Sequence, residues 1–337
     1  MIAVGEITPA GFEAEDRQAR VLVKDLHKPR PAVYWLDLLS SCAVGWSAFA
    51  LAAWLPFSAA TIGLAAVAVF ALYRALCFLH EISHMNRGSL RGFEAAWNAL
   101  IGFPLLMPSF IYVGVHQSHH SLSTYGTSQD PEYLPFAKSK RMTLAFALES
   151  FLIPAALLIR FLVLGPVGLL VPRFHKWLAA HASALTMNFA WTRHTTPELL
   201  RRIRRDTVFI LLLWGAAVAL LPWRALLVWF GVVSVASFVN TLRTLVAHRY
   251  EGDGEPLDRS GQLQDSIDVP GAAWTELWAP VGLRYHALHH YFPGIPYHNL
   301  AEAHARLMSS QPGMPVYGSV SSPGLLASLR RLIHHGE

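Results

Sequence analysis

Three long apolar runs without any Asp, Glu, Lys, Arg or His dominate this sequence, at residues 38–73, 207–223 and 225–242. A helix of about 20 apolar residues is long enough to cross the roughly 30 Å of hydrocarbon in a bilayer. Only 15% of the 337 residues are charged, whereas soluble globular proteins carry roughly a quarter. These features exclude a soluble globular protein, a disordered chain and a coiled coil, and they predict an all-α integral membrane protein.

The apolar runs divide into two predicted helical hairpins. The first hairpin consists of spans at about residues 34–55 and 58–80, with Pro56 in the turn. The second consists of spans at about 207–221 and 225–247, joined by Pro222, Trp223 and Arg224. We therefore expect four transmembrane helices.

Two further apolar stretches, at residues 95–115 and 142–172, are interrupted by glycine and proline. The second also carries Glu149 and Arg160, and a charge at mid-membrane costs about 2.5–3.5 kcal/mol on insertion scales. We therefore predict that both stretches are re-entrant or lie in the membrane interface.

Basic residues flank the predicted hairpins on one side. They precede the first hairpin (Lys28, Arg30), follow it (Arg87, Arg91) and precede the second. Because cytoplasmic loops carry the excess of Lys and Arg, both termini are expected in the cytoplasm. The net charge of +5 then reflects orientation and contact with membrane lipids, and no nucleic-acid partner is expected. The expected organisation is a cytoplasmic segment at 1–31, a membrane domain at 32–310 with a cytoplasmic histidine-rich cap, and a tail at 311–337.

The chain contains 17 histidines, more than a protein surface ordinarily needs, and many of them are clustered. One HxxxH cluster ends the second span, and two HxxHH clusters follow. Residues at i, i+3 and i+4 share one helix face, so each cluster presents its imidazoles together. A further histidine ends the last predicted span. The nine candidate metal ligands are His80, His84, His116, His119, His120, His248, His286, His289 and His290.

Nine imidazoles exceed the number that one ion can bind and match two ions with four or five nitrogens each. The two cysteines cannot form a thiolate site, and imidazole suits iron, zinc, copper and nickel. We therefore predict a dinuclear, oxygen-activating site. A shared site requires an even number of membrane crossings between His120 and His248, as one hairpin between them provides.

Two other interpretations remain open. The segment from His80 to His84 also matches HExxH, in which two histidines bind zinc and a glutamate, here Glu81, acts as the base of a metalloprotease. That interpretation leaves both HxxHH clusters unexplained. A metal transporter with histidine-rich loops would need polar groups along its spans, and the spans here have almost none.

Two residues near the clusters could support ligands by hydrogen bonding. Asp130 is either a turn former or a carboxylate that orients a ligand, and His298 is expected to be a structural or supporting group.

The order HxxxH, HxxHH, HxxHH with these spans resembles the membrane fatty acid desaturase superfamily. The similarity covers roughly residues 35–307 and includes residues 126–133 after the second cluster and 284–293 around the third. The resemblance implies a cytoplasmic non-haem diiron centre held by the nine histidines, with O2 as co-substrate. In acyl-CoA desaturases an asparagine one turn before the His248 position supports the site. Here that position is Thr244, and Asn240 lies one turn earlier.

The resemblance implies an oxidoreductase that removes two hydrogens from an unactivated acyl chain and reduces O2 to water. A lipid or carotenoid hydroxylase or ketolase of the same superfamily is the alternative. The substrate is a lipid or fatty-acyl chain. No haem-binding motif of cytochrome b5 occurs in the chain, so electrons are expected from a separate ferredoxin or cytochrome b5.

Overall fold

The computed structural model describes residues 9–86, 88–311 and 313–334. Residues 1–8, Arg87, Pro312 and 335–337 lie outside the described residues, and with them parts of the predicted N-terminal segment, basic flank and C-terminal tail. The described residues are mostly helical, and their β-structure is limited to three isolated bridges. This agrees with the predicted all-α membrane fold.

The chain divides into two compact units. The first, which we call the span unit, comprises residues 31–118 and 145–241. The helices that begin in it are α2 (Pro31–Trp54), α3 (Ala59–His84), α4 (Phe93–Trp97), α5 (His116–His119), α7 (Ile153–Leu158), α8 (Leu164–Leu170), α9 (Pro172–His181), α10 (Pro197–Leu220) and α11 (Trp223–Leu245).

The second, which we call the cap unit, comprises residues 9–30, 119–144 and 242–334 apart from Pro312. The helices that begin in it are α1 (Pro9–Val23), α6 (Lys140–Glu149), α12 (Arg259–Asp265), α13 (Thr275–Trp278), α14 (His286–Tyr291), α15 (Tyr297–Met308), α16 (Pro315–Gly318) and α17 (Leu325–His334). Its core includes residues of α1, α14, α15 and α16, such as Val23, Leu288 and Tyr317.

Helices α2 and α3 form the first predicted hairpin. The Ser58 side chain caps α3 by accepting from the Thr61 backbone N–H. In return, the Thr61 hydroxyl oxygen accepts from the Ser58 backbone N–H at 2.9 Å. The helices approach closely at Gly45, where an added Cβ would lie 2.6 Å from a Leu72 methyl carbon. Asp37 and Arg74 flank the charge-free run and form an ion pair. Arg74 donates to both Asp37 carboxylate oxygens, at 2.8 and 2.6 Å.

Four helical stretches among the described residues are long and apolar enough to cross a membrane. Three of them, Pro31–Trp54, Ala59–His84 and Trp223–Leu245, coincide with predicted spans. The fourth is the 31-residue stretch Lys140–Leu170, which the sequence analysis places in the interface. It stays helical past its prolines because a 3₁₀ turn (Ser150–Leu152) and a π turn (Ile159–Val163) take up the interruptions.

The predicted span at 207–221 lies in α10, which is not among these four. The charged residues Arg204, Arg205 and Asp206 leave a charge-free helical segment of 14 residues, 207–220, or about 21 Å at 1.5 Å per residue. That length falls short of the hydrocarbon thickness. By length and composition alone, Lys140–Leu170 is therefore a better candidate span than α10.

The apolar run at 95–115 folds as short broken pieces, as a re-entrant segment should. Non-helical backbone at membrane depth needs donors for its carbonyl groups, and tryptophan indoles supply them. Trp46, Trp214 and Trp229 donate to the carbonyls of Leu100, Phe103 and Pro104 at 2.9, 3.2 and 3.0 Å.

Candidate metal centre

The span unit brings three of the predicted ligands together. His80 and His84 lie one turn apart in the last turns of α3, and His116 begins α5. Their ring centroids are 4.7–5.2 Å apart, and one ligand nitrogen from each lies within 4.8 Å of the others. We call these residues the first histidine set.

Hydrogen bonds to neighbouring residues hold the first set in place. The Ser83 hydroxyl donates to the His80 carbonyl at 2.6 Å, and the Gln117 side-chain amide donates to the Ser83 carbonyl. The Tyr112 hydroxyl lies 2.8 Å from Nδ1 of His116. The Gln117 contact therefore links α3 to α5 beside the three imidazoles.

The cap unit brings together four further ligands, His119, His248, His286 and His290, which we call the second histidine set. Their ligand atoms also lie within 4.8 Å of one another, and all four are buried. Nε2 of His248 lies 3.3 Å from Nε2 of His119 and 2.9 Å from Nε2 of His286. Nε2 of His290 lies 3.2 Å from Nε2 of His286. The imidazoles thus point the same nitrogen at a common point.

The remaining two predicted ligands also lie in the cap unit. Nε2 of His120 and Nε2 of His289 are 3.2 Å apart. The His120 ring stacks on the His290 ring, with centroids 4.1 Å apart. All six predicted ligands of the cap unit therefore lie in one cluster.

Asp130 fixes the orientation of His119. Both Asp130 carboxylate oxygens lie 3.0 Å from His119 Nδ1, and backbone N–H groups of Gly126 and Glu132 hold the carboxylate at 3.0 and 2.9 Å. Burial lowers the pKa of His119, but the Asp130 charge more than compensates and the pKa rises above its ordinary value. Because an ionised carboxylate only accepts, the Nδ1 proton lies between His119 and Asp130, and in the neutral imidazole Nε2 presents its lone pair.

A second carboxylate, which the sequence analysis missed, controls His248. Asp265 accepts a hydrogen bond from the Tyr125 hydroxyl at 2.8 Å and one from the Tyr133 hydroxyl at 3.1 Å. The Tyr125 oxygen also lies 2.8 Å from His248 Nδ1. Since tyrosine has one proton and Tyr125 gives it to Asp265, His248 Nδ1 must donate to Tyr125. Nε2 of His248 therefore also carries a lone pair.

Backbone pairing places Asp265 next to His248. The chain after α12 forms an antiparallel bridge between Ser266 and His248, and the Arg249 N–H donates to the Asp265 carbonyl at 2.6 Å. His248 and Ser266 are 18 residues apart, and no local sequence pattern predicts that they pair. The available signal is weak and consists of two carboxylates three residues apart, Asp265 and Asp268.

Asp268 positions the third histidine cluster. This fully buried residue accepts from the Leu288 backbone N–H at 3.1 Å in the first turn of α14 and from the Tyr317 hydroxyl at 2.7 Å. An acceptor for a free N–H in the first turn stabilises a short helix. Asp268 therefore fixes the helix that carries three predicted ligands.

The other predicted supporting residues occupy different places. The Thr244 carbonyl accepts from the Tyr250 hydroxyl at 2.9 Å, near the end of α11. Asn240 is half-buried on the same helix. His298 contacts the Arg30 backbone N–H at 3.0 Å and the Asn299 side chain at 2.8 Å.

The second set fits a metal ion. The Nε2 atoms of His119 and His248 lie 3.3 Å apart, so either a shared proton or a metal cation can satisfy both lone pairs. Hydrogen bonds at Nδ1 that leave Nε2 available are the usual support for metal-ligating histidines. The donor set is all imidazole, which suits iron among other transition metals.

The fold and these histidine sets define an all-helical integral membrane protein with buried imidazole sites able to hold metal. Residues 57–318 match the family model of fatty acid desaturases. The chain belongs to this family, and it is an oxidoreductase.

Two relatives illustrate the range of activities. The chain is 40% identical over 320 residues to a ceramide hydroxylase of Caulobacter vibrioides (strain NA1000 / CB15N), covering 93% of this chain and 91% of the relative. It is 26% identical over 315 residues to an acyl-lipid (9-3)-desaturase of Physcomitrium patens, covering 85% of this chain and 55% of the relative.

Proposed function

We propose that this chain is a membrane-bound, O2-dependent lipid hydroxylase that acts on a ceramide or a closely related N-acylated lipid. The observation that carries the proposal is the 40% identity to a ceramide hydroxylase over 93% of the chain. The acyl-lipid desaturase is less similar, with 26% identity. Comparison therefore favours the hydroxylase alternative of the sequence analysis over the desaturase prediction.

We propose that the nine histidines hold two iron ions, one at each histidine set, with His120 and His289 completing the ligands. One helix carries a member of each set, because α5 holds His116 of the first set and His119 of the second. Residues three apart on a helix are neighbours, with Cβ atoms about 5–6 Å apart. When bound, the irons would activate O2 for attack on an unactivated C–H bond.

The protein's own residues prepare the site for this chemistry. Asp130 and the Asp265–Tyr125 pair hold protons at Nδ1 of His119 and His248, so Nε2 faces the metal position. Burial of the second set excludes water, which protects a reactive site from side reactions. In the overall reaction a C–H bond becomes C–OH, and O2, two electrons and two protons yield the hydroxyl group and one water.

The electrons must come from a separate carrier, and we propose a ferredoxin or a cytochrome b5. The basic residues of the predicted cytoplasmic flanks could attract an acidic carrier of either kind. Initial rates that do not fall with rising ionic strength would contradict this attraction.

We propose that both termini and both histidine sets lie on the cytoplasmic side. Two candidate spans precede His116 and two separate His120 from His248, so the number of crossings between the clusters is even. A reporter fused within residues 311–337 tests the cytoplasmic placement, and a reporter within residues 182–196 tests which stretch crosses the membrane together with α11. If Lys140–Leu170 spans, that reporter is extracytoplasmic; if α10 is the partner of α11, it is cytoplasmic.

The Glu81 contact argues against the protease alternative. The Tyr34 hydroxyl donates to the Glu81 carboxylate within the span unit, and membership of the desaturase family accounts for all three histidine clusters. We do not propose peptide hydrolysis.

Lipid mass spectrometry of a host that expresses the chain tests the proposed function. We expect a ceramide-class lipid that gains 16 Da, and a His289→Ala variant should not produce it. A loss of 2 Da would support desaturation instead. No change in any lipid, with the protein present and iron-loaded, would contradict both activities.

A further inference from the structure

A cavity of about 400 Å³ in the span unit is lined by both polar and apolar residues. Its size is within the range of small-molecule sites, about 300–1,000 Å³. The polar residues of its wall are Ser83, Asn86, Ser89, Glu94, Gln117 and Arg202.

The cavity is close to the metal ligands because two of its wall residues are their chain neighbours. Ser83 precedes His84, Gln117 follows His116, and consecutive Cα atoms are 3.8 Å apart. The hydrogen bond from the Gln117 side chain to the Ser83 carbonyl closes this wall. Ser83 and Gln117 therefore place one wall of the cavity next in the chain to two ligands of the first histidine set.

The cavity begins where a membrane-spanning helix ends. Candidate span α3 finishes at His84, and Asn86, Gly88 and Ser89 follow as exposed loop residues. The polar head of a membrane lipid lies at this boundary between hydrocarbon and water. The position suits a lipid head better than the middle of an acyl chain.

Among the described residues, the two charged side chains that line the cavity, Glu94 and Arg202, pair with each other. Glu94 Oε1 accepts from Arg202 and, at 2.9 Å, from the Ser109 hydroxyl. Ser109 also receives a hydrogen bond from Arg202 at 2.8 Å. Among the described residues, Glu94 Oε2 has no hydrogen-bond donor, and the side chain is 42% exposed. The cavity thus offers a carboxylate oxygen to a donor such as a hydroxyl, and repels a phosphate placed beside it.

We propose that this cavity binds the uncharged polar head of the lipid substrate, its hydroxyl and amide groups, with a substrate hydroxyl donating to Glu94. This inference rests on the proposed hydroxylase function and adds a regiochemistry to it. With the head held beside the first histidine set, the oxidised carbon is one of the first few carbons from the head. Oxidation in the middle of the acyl chain would require the head to be held much further away.

Fragmentation mass spectrometry of the product tests the regiochemistry. We expect the added oxygen on the first few carbons of the long-chain base or of the N-acyl chain. A hydroxylated lipid with its new hydroxyl in mid-chain would overturn this inference and leave the hydroxylase proposal intact. The absence of any lipid with a gain of 16 Da would instead contradict the hydroxylase proposal itself.

Variants of the cavity test the binding site directly. Asn86→Leu replaces an exposed polar wall residue, and Thr192→Leu is a matched control on an exposed loop residue of the same unit outside the cavity. For ceramide in mixed micelles we expect Asn86→Leu to raise KM about tenfold, equivalent to about 1.4 kcal/mol, with kcat within about twofold and iron content unchanged. Equal KM values for both variants would contradict the site.

Glu94→Gln tests the preference for an uncharged head. Loss of the carboxylate removes a negative charge from the cavity and leaves Arg202 paired with Asp206, whose Oδ2 lies 3.7 Å from Arg202 Nε, so a phosphorylated head should be better tolerated. The ratio of kcat/KM for ceramide phosphate to that for ceramide should rise about tenfold, or about 1.4 kcal/mol. An unchanged ratio would show that Glu94 does not face the substrate head.

Discussion

Replacing Tyr125 by phenylalanine should weaken the second histidine set without removing a ligand. The Tyr125 oxygen lies 2.8 Å from His248 Nδ1 and 2.8 Å from Asp265 Oδ2, so it joins the carboxylate to the imidazole. In Tyr125→Phe the nearest acceptors left for Nδ1 are the Ser266 hydroxyl at 3.3 Å and Asp265 Oδ2 at 3.5 Å. Both distances are longer than the lost contact, and His248 is then held less firmly with Nε2 facing the metal position.

The size of the effect follows from how such supporting contacts act. Loss of a hydrogen bond to a metal-ligating histidine lowers metal affinity by about 10–100-fold, or about 1.4–2.7 kcal/mol. Because Ser266 can take over part of the role, we expect the lower end, about tenfold. The assay is iron retained by purified protein across a series of chelator concentrations, read as the midpoint of iron loss.

Tyr250→Phe is the matched control for this experiment. Tyr250 is also fully buried, and its hydroxyl donates to the Thr244 carbonyl at 2.9 Å rather than to a histidine. Tyr250→Phe loses this one buried hydrogen bond and Tyr125→Phe loses two, at a stability cost of about 0.5–1.5 kcal/mol for each hydrogen bond. Only Tyr125→Phe should shift the chelator midpoint. The same midpoint in both variants would refute the proton assignment on which the reasoning depends.

Three further substitutions test other parts of the account. Asp130→Asn should lower product formation about 10–100-fold, because the neutral amide no longer holds His119 in one tautomer; unchanged turnover would contradict its supporting role. Glu81→Gln should retain lipid oxidation at a lower melting temperature, since a buried hydrogen bond is weakened, whereas complete loss of product in a folded, iron-loaded variant would indicate a direct catalytic role. Trp229→Phe should destabilise the protein by about 1–3 kcal/mol, because a re-entrant carbonyl loses its donor, and the exposed Trp223→Phe serves as its control; equal melting temperatures would show that this contact is dispensable.

The spans were predictable where composition alone decides them. Helices α2, α3 and α11 lie where charge-free runs predict them, and Pro56 marks the turn of the first hairpin. The prediction differs from the structure at Lys140–Leu170. Glu149 and the prolines suggested an interruption, but short 3₁₀ and π turns let the helix continue.

A buried arginine in that helix has local compensation that the sequence does not reveal. Arg160 is 8% exposed and donates to the Ala182 carbonyl and to the Ser183 hydroxyl, the latter at 2.6 Å. Paired in this way, a charge is far less costly in an apolar surrounding than an isolated one. The insertion cost of an isolated charge therefore overstated the case against this helix.

The histidine clusters were visible in the sequence because i, i+3 and i+4 spacing is local. The groups that orient them were only partly visible. Asp130 lies ten residues after His120 and could be proposed from that proximity. Tyr125 and Asp265 act across 140 residues of sequence, and the chain comes together there through tertiary pairing, for which a single sequence carries no periodic signal.

Metal analysis of the purified wild-type protein tests whether each histidine set holds an iron. We expect two irons per chain, and a His80→Ala/His84→Ala variant should retain one of them because the second histidine set is intact. One zinc and no iron in the wild type would contradict two histidine sets that each hold an iron. Loss of both irons from a variant in which only one histidine set is substituted would contradict it as well.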